Sequence, residues 1–213
     1  MSTTAINSFR PLVQLELQAC PGVTLDQIAV NACRTFAADT WAHTAFNPTI
    51  TSLPQTQSYG LTPPDAYHEV FAIASVGMSQ NGGEETMLFP CDGNDRLVDT
   101  QTYATPKWFW LDMVKGLMLY PIPPDGSYTF TVNMVLRPIQ GASQVDSRYM
   151  TQFSDPIQFW MLYRAKVTSG QPWSDPNGAK LDYAQYQFTK QVFRNRLLAG
   201  NVQNAARVTT NFY

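Results

Sequence analysis

Apolar residues recur at three- and four-residue spacing over one early stretch of the chain. Leu25, Ile28, Ala29, Ala32, Cys33, Phe36 and Ala37 fall on a single helical face, the mark of an amphipathic helix. Just upstream, a first segment from Leu12 to Leu17 meets Cys20-Pro21-Gly22, a turn signal. Thr24 followed three residues later by Gln27 is a capping-box pattern. In such a box the hydroxyl accepts from one unpaired amide and the Gln side chain reaches back to another. The spacing predicts a helix over about residues 25–41, with Pro48 beyond its end.

The pattern then changes. Residues 49–138 hold nine prolines and Gly/Asn/Asp clusters, with short β-favouring runs between them. A short strand is predicted over 49–53. A stronger one is predicted over 67–76, where Val70, Ala72, Ala74 and Val76 alternate with Phe71, Ile73 and Ser75. Gln80-Asn81-Gly82-Gly83 reads as a hairpin turn, with 85–89 pairing back. Runs 108–111 and 117–120 flank Val114-Lys115-Gly116. Beyond Asp125-Gly126, the residues Tyr128, Phe130, Val132, Met134 and Leu136 alternate as the inner face of a half-buried strand.

After Pro138 the helical period returns. Asp155-Pro156 starts a helix, with proline in the first turn where no amide is needed, and Gly170 ends it. A last helix is predicted over 177–198, with Leu181, Ala184, Tyr186, Phe188, Val192 and Phe193 as its apolar surface and Gly200 as its stop. A lone amphipathic helix cannot bury its stripe, so the early helix must pack with the late ones. The expected fold is α+β. A three-to-four-helix bundle is formed by 1–48 and 139–200, a small antiparallel β-sandwich or barrel is inserted over 49–138, and an extended tail covers 201–213.

Composition sharpens this picture in one respect. Only 14% of the 213 residues are charged, against about 25% in ordinary soluble domains. Aromatics reach 13%. A sparsely charged, aromatic-rich chain suggests a surface that largely meets other protein. The net charge is -2 and no long basic run occurs, which disfavours general nucleic-acid or acidic-membrane binding. The apolar runs are too short to span a bilayer. Residues 1–10 lack a signal-peptide pattern, so the chain is expected to stay in the cytosol or enter a cytosolic assembly. Cys20, Cys33 and Cys91, spaced by 13 and 58, match no zinc or redox pattern and read as plain thiols.

Four local strings, in order, carry a resemblance. Phe36-Ala37-Ala38-Asp39-Thr40-Trp41 closes the first helix. Leu117-Met118-Leu119-Tyr120-Pro121-Ile122-Pro123 precedes Tyr128-Thr129-Phe130-Thr131-Val132, and that strand ends at Arg137-Pro138. Gly170-Gln171-Pro172-Trp173-Ser174-Asp175-Pro176 joins the last two helices. Arg207 to Tyr213 forms an aromatic end. In layout, from about Val13 to Tyr213, the chain resembles the phage head-to-tail adaptor family, the tail tubular protein A-like proteins. The resemblance implies a structural virion protein, assembled in the host cytoplasm and lodged at the head-to-tail interface. Its subunits would form a ring, typically a dodecamer, under the portal protein. The ring would extend the channel through which viral DNA passes and give the tail or nozzle protein its attachment surface. The alternative of the same class is a tail-completion or neck protein that contacts the tail instead of the portal. A bacterial binding module outside any virus is the alternative of another class.

Candidate contact residues follow. The tail segments of the family reach onto the portal. Here Val208, Thr210 and Phe212 alternate, with Arg207 before them and Tyr213 after, as in a segment that adds to a sheet edge with aromatic anchors. Lys190, Arg194 and Arg196 bring positive charge to the late part of the last helix, for the portal or for DNA in the channel, besides favouring the helix dipole. Two loop tips, with Asn81, Glu84 and Glu85 and with Asp92 and Asn94, are candidate contacts to a neighbouring subunit or the tail. No catalytic, cofactor or metal site is expected. His43 and His68 sit in no catalytic motif, no nucleophile elbow or phosphate loop occurs, and Asp112 and Asp125 make no evident carboxylate pair.

Overall fold

Residues from both ends of the sequence come together in one helical unit. The computed structural model describes residues 2–91 and 102–205. It divides the chain into a helical unit, Met1–Ala42 with Arg137–Tyr213, and a sheet unit, His43–Leu136. The protein is mixed α and β, with five α-helices and several antiparallel sheets among the described residues. In chain order the first elements are β1 (Thr3–Ala5), a 3-10 turn (Ile6–Phe9), α1 (Arg10–Gln14) and α2 (Gly22–Thr40). Then come β2 (Thr44–Phe46), β3 (Ile50–Thr51), β4 (Ser58–Tyr59), β5 (His68–Gln80), β6 (Thr86–Met87) and β7 (Phe89–Pro90). The rest are β8 (Trp108–Asp112), β9 (Gly116–Tyr120), β10 (Tyr128–Pro138), β11 (Gln144–Asp146), α3 (Arg148–Thr151), α4 (Ser154–Lys166) and α5 (Pro176–Ala205).

In the helical unit α2 buries the face that its spacing predicts: Leu25, Ala29, Ala32, Cys33, Phe36 and Ala37 all lie in the core. Its start differs from the expectation. The helix begins at Gly22, Pro21 holds the cap position, and no side chain caps it. The Pro21 carbonyl accepts the Leu25 amide at 3.1 Å. Thr24 therefore sits inside the first turn, and the capping box with Gln27 does not form. At the other end Trp41 takes a left-handed conformation, φ 55°, and donates its amide to the Ala37 carbonyl at 2.9 Å. The α4 helix carries Ile157, Trp160, Met161, Leu162 and Ala165 into the same core and packs on both α2 and α5. Three rings link the pieces. Phe36 lies 5.1 Å from Phe153, which lies 5.4 Å from Phe193. Strand β1 pairs antiparallel with β11, Thr3 opposite Asp146.

The last helix departs from its predicted surface. Leu181 is 71% exposed and Phe188 67%, and Ala184 is exposed as well. The buried stripe runs through Ala179 and Tyr186, with Phe193 packed at the edge of the core. Two overlapping apolar faces lie on this helix, and α4 and α2 cover only one. Gly200 does not stop it. A helix-interior glycine costs about 1 kcal/mol relative to alanine, too little to break a helix flanked by Leu197, Leu198, Ala199 and Val202. Residues 201–205 are helical and not an extended tail.

The sheet unit has two main sheets. One runs β2-β10-β5-β6, with β3 also on β10; the other runs β4-β9-β8-β7. No barrel closes among the described residues. Along β10 the five alternating residues Tyr128, Phe130, Val132, Met134 and Leu136 are all buried. They share a core with Ile73 and Val76 of β5 and with Tyr59, Phe109, Leu117 and Leu119 of the second sheet. The Tyr59 ring lies 5.8 Å from Phe130. Residues 44–46 belong here, since β2 pairs antiparallel with β10, Ala45 opposite Met134. The strand predicted over 85–89 divides. β6 pairs back on β5 (Met87 opposite Gly77), whereas β7 pairs parallel with β8 (Phe89 opposite Trp108). Buried Leu88, whose amide donates to the Val76 carbonyl at 2.9 Å, marks the crossing from one sheet to the other.

Candidate functional site

Charge is divided unevenly between the two units. The helical unit holds 11 basic and 7 acidic side chains, a net of +4; the sheet unit holds 3 basic and 9 acidic, a net of -6. The small net charge of the whole chain conceals this. Among the described residues, the helical unit gathers arginines in a cleft and the sheet unit carries a glutamate pair at a hairpin tip.

On the helical unit, Arg34 and Thr35 of α2, Arg137 at the end of β10, and Trp160 and Arg164 of α4 line a cleft of about 400 Å³. Helical spacing puts Arg34 and Ala38 on one side of α2, one turn apart, and the same spacing pairs Trp160 with Arg164 on α4. The Arg164 guanidinium sits 5.6 Å from the Trp160 ring, a cation–π distance. Arg164 is exposed. Arg34 Nη1 also donates to the Pro138 carbonyl, which ties its guanidinium to the strand end. The carboxylate in the cleft wall, Asp39, is engaged from the side. Tyr186 donates its hydroxyl to Asp39 Oδ2 at 3.0 Å, and Lys190 Nζ lies 2.9 Å from the same oxygen. Burial, and then the Asp39 charge, push ionisation of the Tyr186 hydroxyl far upward, so it remains a donor.

On the sheet unit, the β5–β6 hairpin projects a tip in which residues 81–87 are all exposed. Asn81 (φ 51°) and Gly82 (φ 73°) both adopt the left-handed conformation, the pair that a tight two-residue hairpin turn demands. The Asn81 amide donates to the Ser127 carbonyl at 2.9 Å and the Gly83 amide to the Gln80 carbonyl at 2.9 Å, so the tip is anchored at its root. Beyond it, Glu84 and Glu85 are exposed, with the Glu85 carboxylate lying back over Gly77 of β5, beside Met87, 53% exposed, and Phe89, 67% exposed. Met78, Met87, Phe89, Pro106 and Lys107 contribute to a hollow of about 440 Å³ at the side of this tip.

No protein-family model matches the chain, and no curated protein matches it.

The sequence-derived contact residues fall in three groups. Asn81, Glu84 and Glu85 meet at the hairpin tip. Arg194 and Arg196 are exposed on α5, with the Arg196 guanidinium 5.6 Å from the Phe193 ring. Lys190 is tied to Asp39 and lies 5.2 Å above the Tyr186 ring, so its charge joins α5 to α2. Asp92 and Asn94 of the second loop lie outside the described residues, as do Arg207, Val208, Thr210, Phe212 and Tyr213 of the tail.

Sequence reasoning did not bring together Arg34, Arg137 and Arg164, which come from three separate elements. It also treated the histidines singly. In the fold His43 and His68 are both buried, with perpendicular rings 4.6 Å apart. His68 Nδ1 lies 2.8 Å from Asp65 Oδ1, which also accepts the Tyr67 amide at 2.9 Å. Burial pushes the Asp65 carboxyl up, but His68 and the Tyr67 amide outweigh it and hold it below the ordinary carboxylate value. Asp112 and Asp125 each cap a turn. Asp112 accepts the Val114 and Lys115 amides at 2.8 and 2.9 Å, and Asp125 accepts the Ser127 amide and hydroxyl at 2.9 and 2.6 Å. All three cysteines are free thiols, and burial pushes the Cys33 thiol far up, leaving it neutral. Among the described residues no cluster of three or more His, Cys, Asp or Glu could hold a metal ion, and no helix is long and apolar enough to cross a membrane.

Proposed function

We propose that this chain is a structural subunit of a tailed-phage virion, a head-to-tail adaptor. In this reading copies form a ring, typically twelve-membered in the family it resembles, under the portal protein. The ring prolongs the DNA channel and offers the tail or nozzle protein its attachment surface. We read the helical unit as a bundle and the sheet unit as a small β-sandwich inserted into it.

The observation that carries the reading is the interrupted layout. A helical unit assembled from both ends of the sequence is split by a sheet unit. The family-like strings fall at α2, β9–β10 and the α4–α5 connection within it. A charge content of 14% supports a surface that meets other protein. The exposed Leu181 and Phe188 on α5 and the exposed Met87 and Phe89 by the hairpin supply apolar area for such contacts.

The test is capture by purified portal rings from the same genome, with the mass of the product measured. The full chain and a form stopped after Asn204 are compared. One adaptor per portal subunit, lost on truncation, is the expected result and assigns docking to the tail. A complex that survives truncation moves docking to the helices. No capture of either form overturns the adaptor role; capture by the tail proteins would then favour the tail-completion reading.

A further inference from the structure

We propose that copies of this chain associate head to tail, the acidic hairpin tip of one copy seating in the arginine cleft of the next. The proposal rests on the ring reading above and names the contact that builds the ring.

Charge complementarity carries it. With +4 on one unit and -6 on the other, a contact between like units of two copies sets equal signs together. Only a contact between unlike units pairs them. Such a contact is heterologous, each copy giving one surface and accepting on the other, and a repeated heterologous contact closes into a ring or runs on as a filament. The two surfaces also match in chemistry. Glu84 and Glu85 are exposed at the end of an anchored hairpin. Arg164 presents an exposed planar guanidinium in the cleft lining, 5.6 Å from the Trp160 ring, a group suited to two-pronged recognition of a carboxylate. Asp39, within the cleft, is already bonded at Oδ2 by Tyr186 and Lys190. Met87 and Phe89, exposed on the flank of the tip, add apolar area that excludes water around the charged pair, where its attraction is strongest.

Charge reversal tests the contact in the full-length protein. Arg164→Glu reverses the cleft; Glu84→Lys with Glu85→Lys reverses the tip. Self-association is followed by sedimentation at low salt and on portal rings. Each variant alone is expected to associate at least about tenfold more weakly than the wild type, because like charges meet at every contact. An equal mixture of the two is expected to regain wild-type association in alternating order, since both mixed contacts pair opposite signs. Recovery in the mixture also shows that both variants are folded. Added salt should weaken the wild-type association. Unchanged association in either variant, or no recovery in the mixture, overturns the proposal. So does a wild-type chain that neither self-associates at low salt nor loads on portal rings in a reversal-sensitive way. Retention by duplex DNA that is lost in Arg164→Glu, with self-association unchanged, assigns the cleft to phosphate and overturns it as well. Portal capture that ignores both reversals sinks the head-to-tail contact and leaves the adaptor reading intact. Reversal-sensitive association without portal capture does the opposite.

Discussion

Tyr186 of α5, 1% exposed, donates its hydroxyl to Asp39 of α2 at 3.0 Å, fastening the last helix to the first long one over a separation of 147 residues in sequence. Removing only the hydroxyl tests the bond apart from the packing. Tyr186→Phe is expected to destabilise the protein by about 1 kcal/mol, the net worth of one hydrogen bond with a partly solvated carboxylate. Tyr186→Ala removes the buried ring too and is expected to cost about 3 kcal/mol or more. Urea unfolding of the two variants beside the wild type measures both.

The Asp65–His68 contact predicts acid sensitivity in the sheet unit. The folded carboxyl is held below its ordinary value of 3.8. A depressed carboxyl contributes stability that is fully present above the unfolded value and is lost as pH falls through the lowered folded one. Asp65→Asn is therefore expected to melt lower than the wild type near neutral pH. The gap should narrow only below the ordinary carboxylate range, as melting curves across acid pH will read. A gap that stays constant into strong acid would show that the charge on Asp65 is irrelevant.

Gly116 closes the β8–β9 turn at φ 88°, and a Cβ there would stand 2.4 Å from the Tyr59 carbonyl oxygen of β4. Gly116→Ala combines a conformation worth about 1–3 kcal/mol of strain with a collision against backbone that cannot swing away. It is expected to lower the melting temperature more than Gly82→Ala, where φ is also positive but nothing lies within 4 Å. Equal effects of the two would remove the role given to the Tyr59 contact.

Leu181 and Phe188 lie on the uncovered side of α5. Replacing both with Gln is expected to leave stability within about 0.5 kcal/mol, as for surface positions away from special features. The same pair of changes in a core would cost several times more. Thermal unfolding of the double variant decides between a solvent face and a buried one.

That last helix shows where sequence reasoning stops. Leu181, Phe188 and Val192 satisfy helical spacing as well as Ala179, Tyr186 and Phe193 do, and which stripe is covered depends on where α4 and α2 arrive. By contrast β10 was legible in full, because a strand's alternation admits only two faces and one of them held Phe130, Val132, Met134 and Leu136. The hairpin tip was legible too, since Asn81-Gly82 can hardly do anything but turn. The start of α2 lies three residues before its expected place, because a capping box at Thr24 and a start capped by Pro21 look alike until the carbonyl of Pro21 is seen at work. The arginine cleft was invisible, as it needs α2, β10 and α4 to converge.

The interrupted helical unit also sets an order of events during synthesis. Residues 1–42 leave the ribosome well before α4 and α5 exist. Until those helices emerge, Phe36, Cys33 and Leu25 lack the surface that α4 and α5 supply and meet only apolar residues of 1–21, while the whole of 43–136 is already available to fold. The nascent chain therefore carries a waiting apolar helix followed by a finished sheet unit, and the helical unit closes only once α4 and α5 have been made. A premature stop before α4 would release that helix without its main cover, which makes such truncated products natural clients for chaperones and proteases.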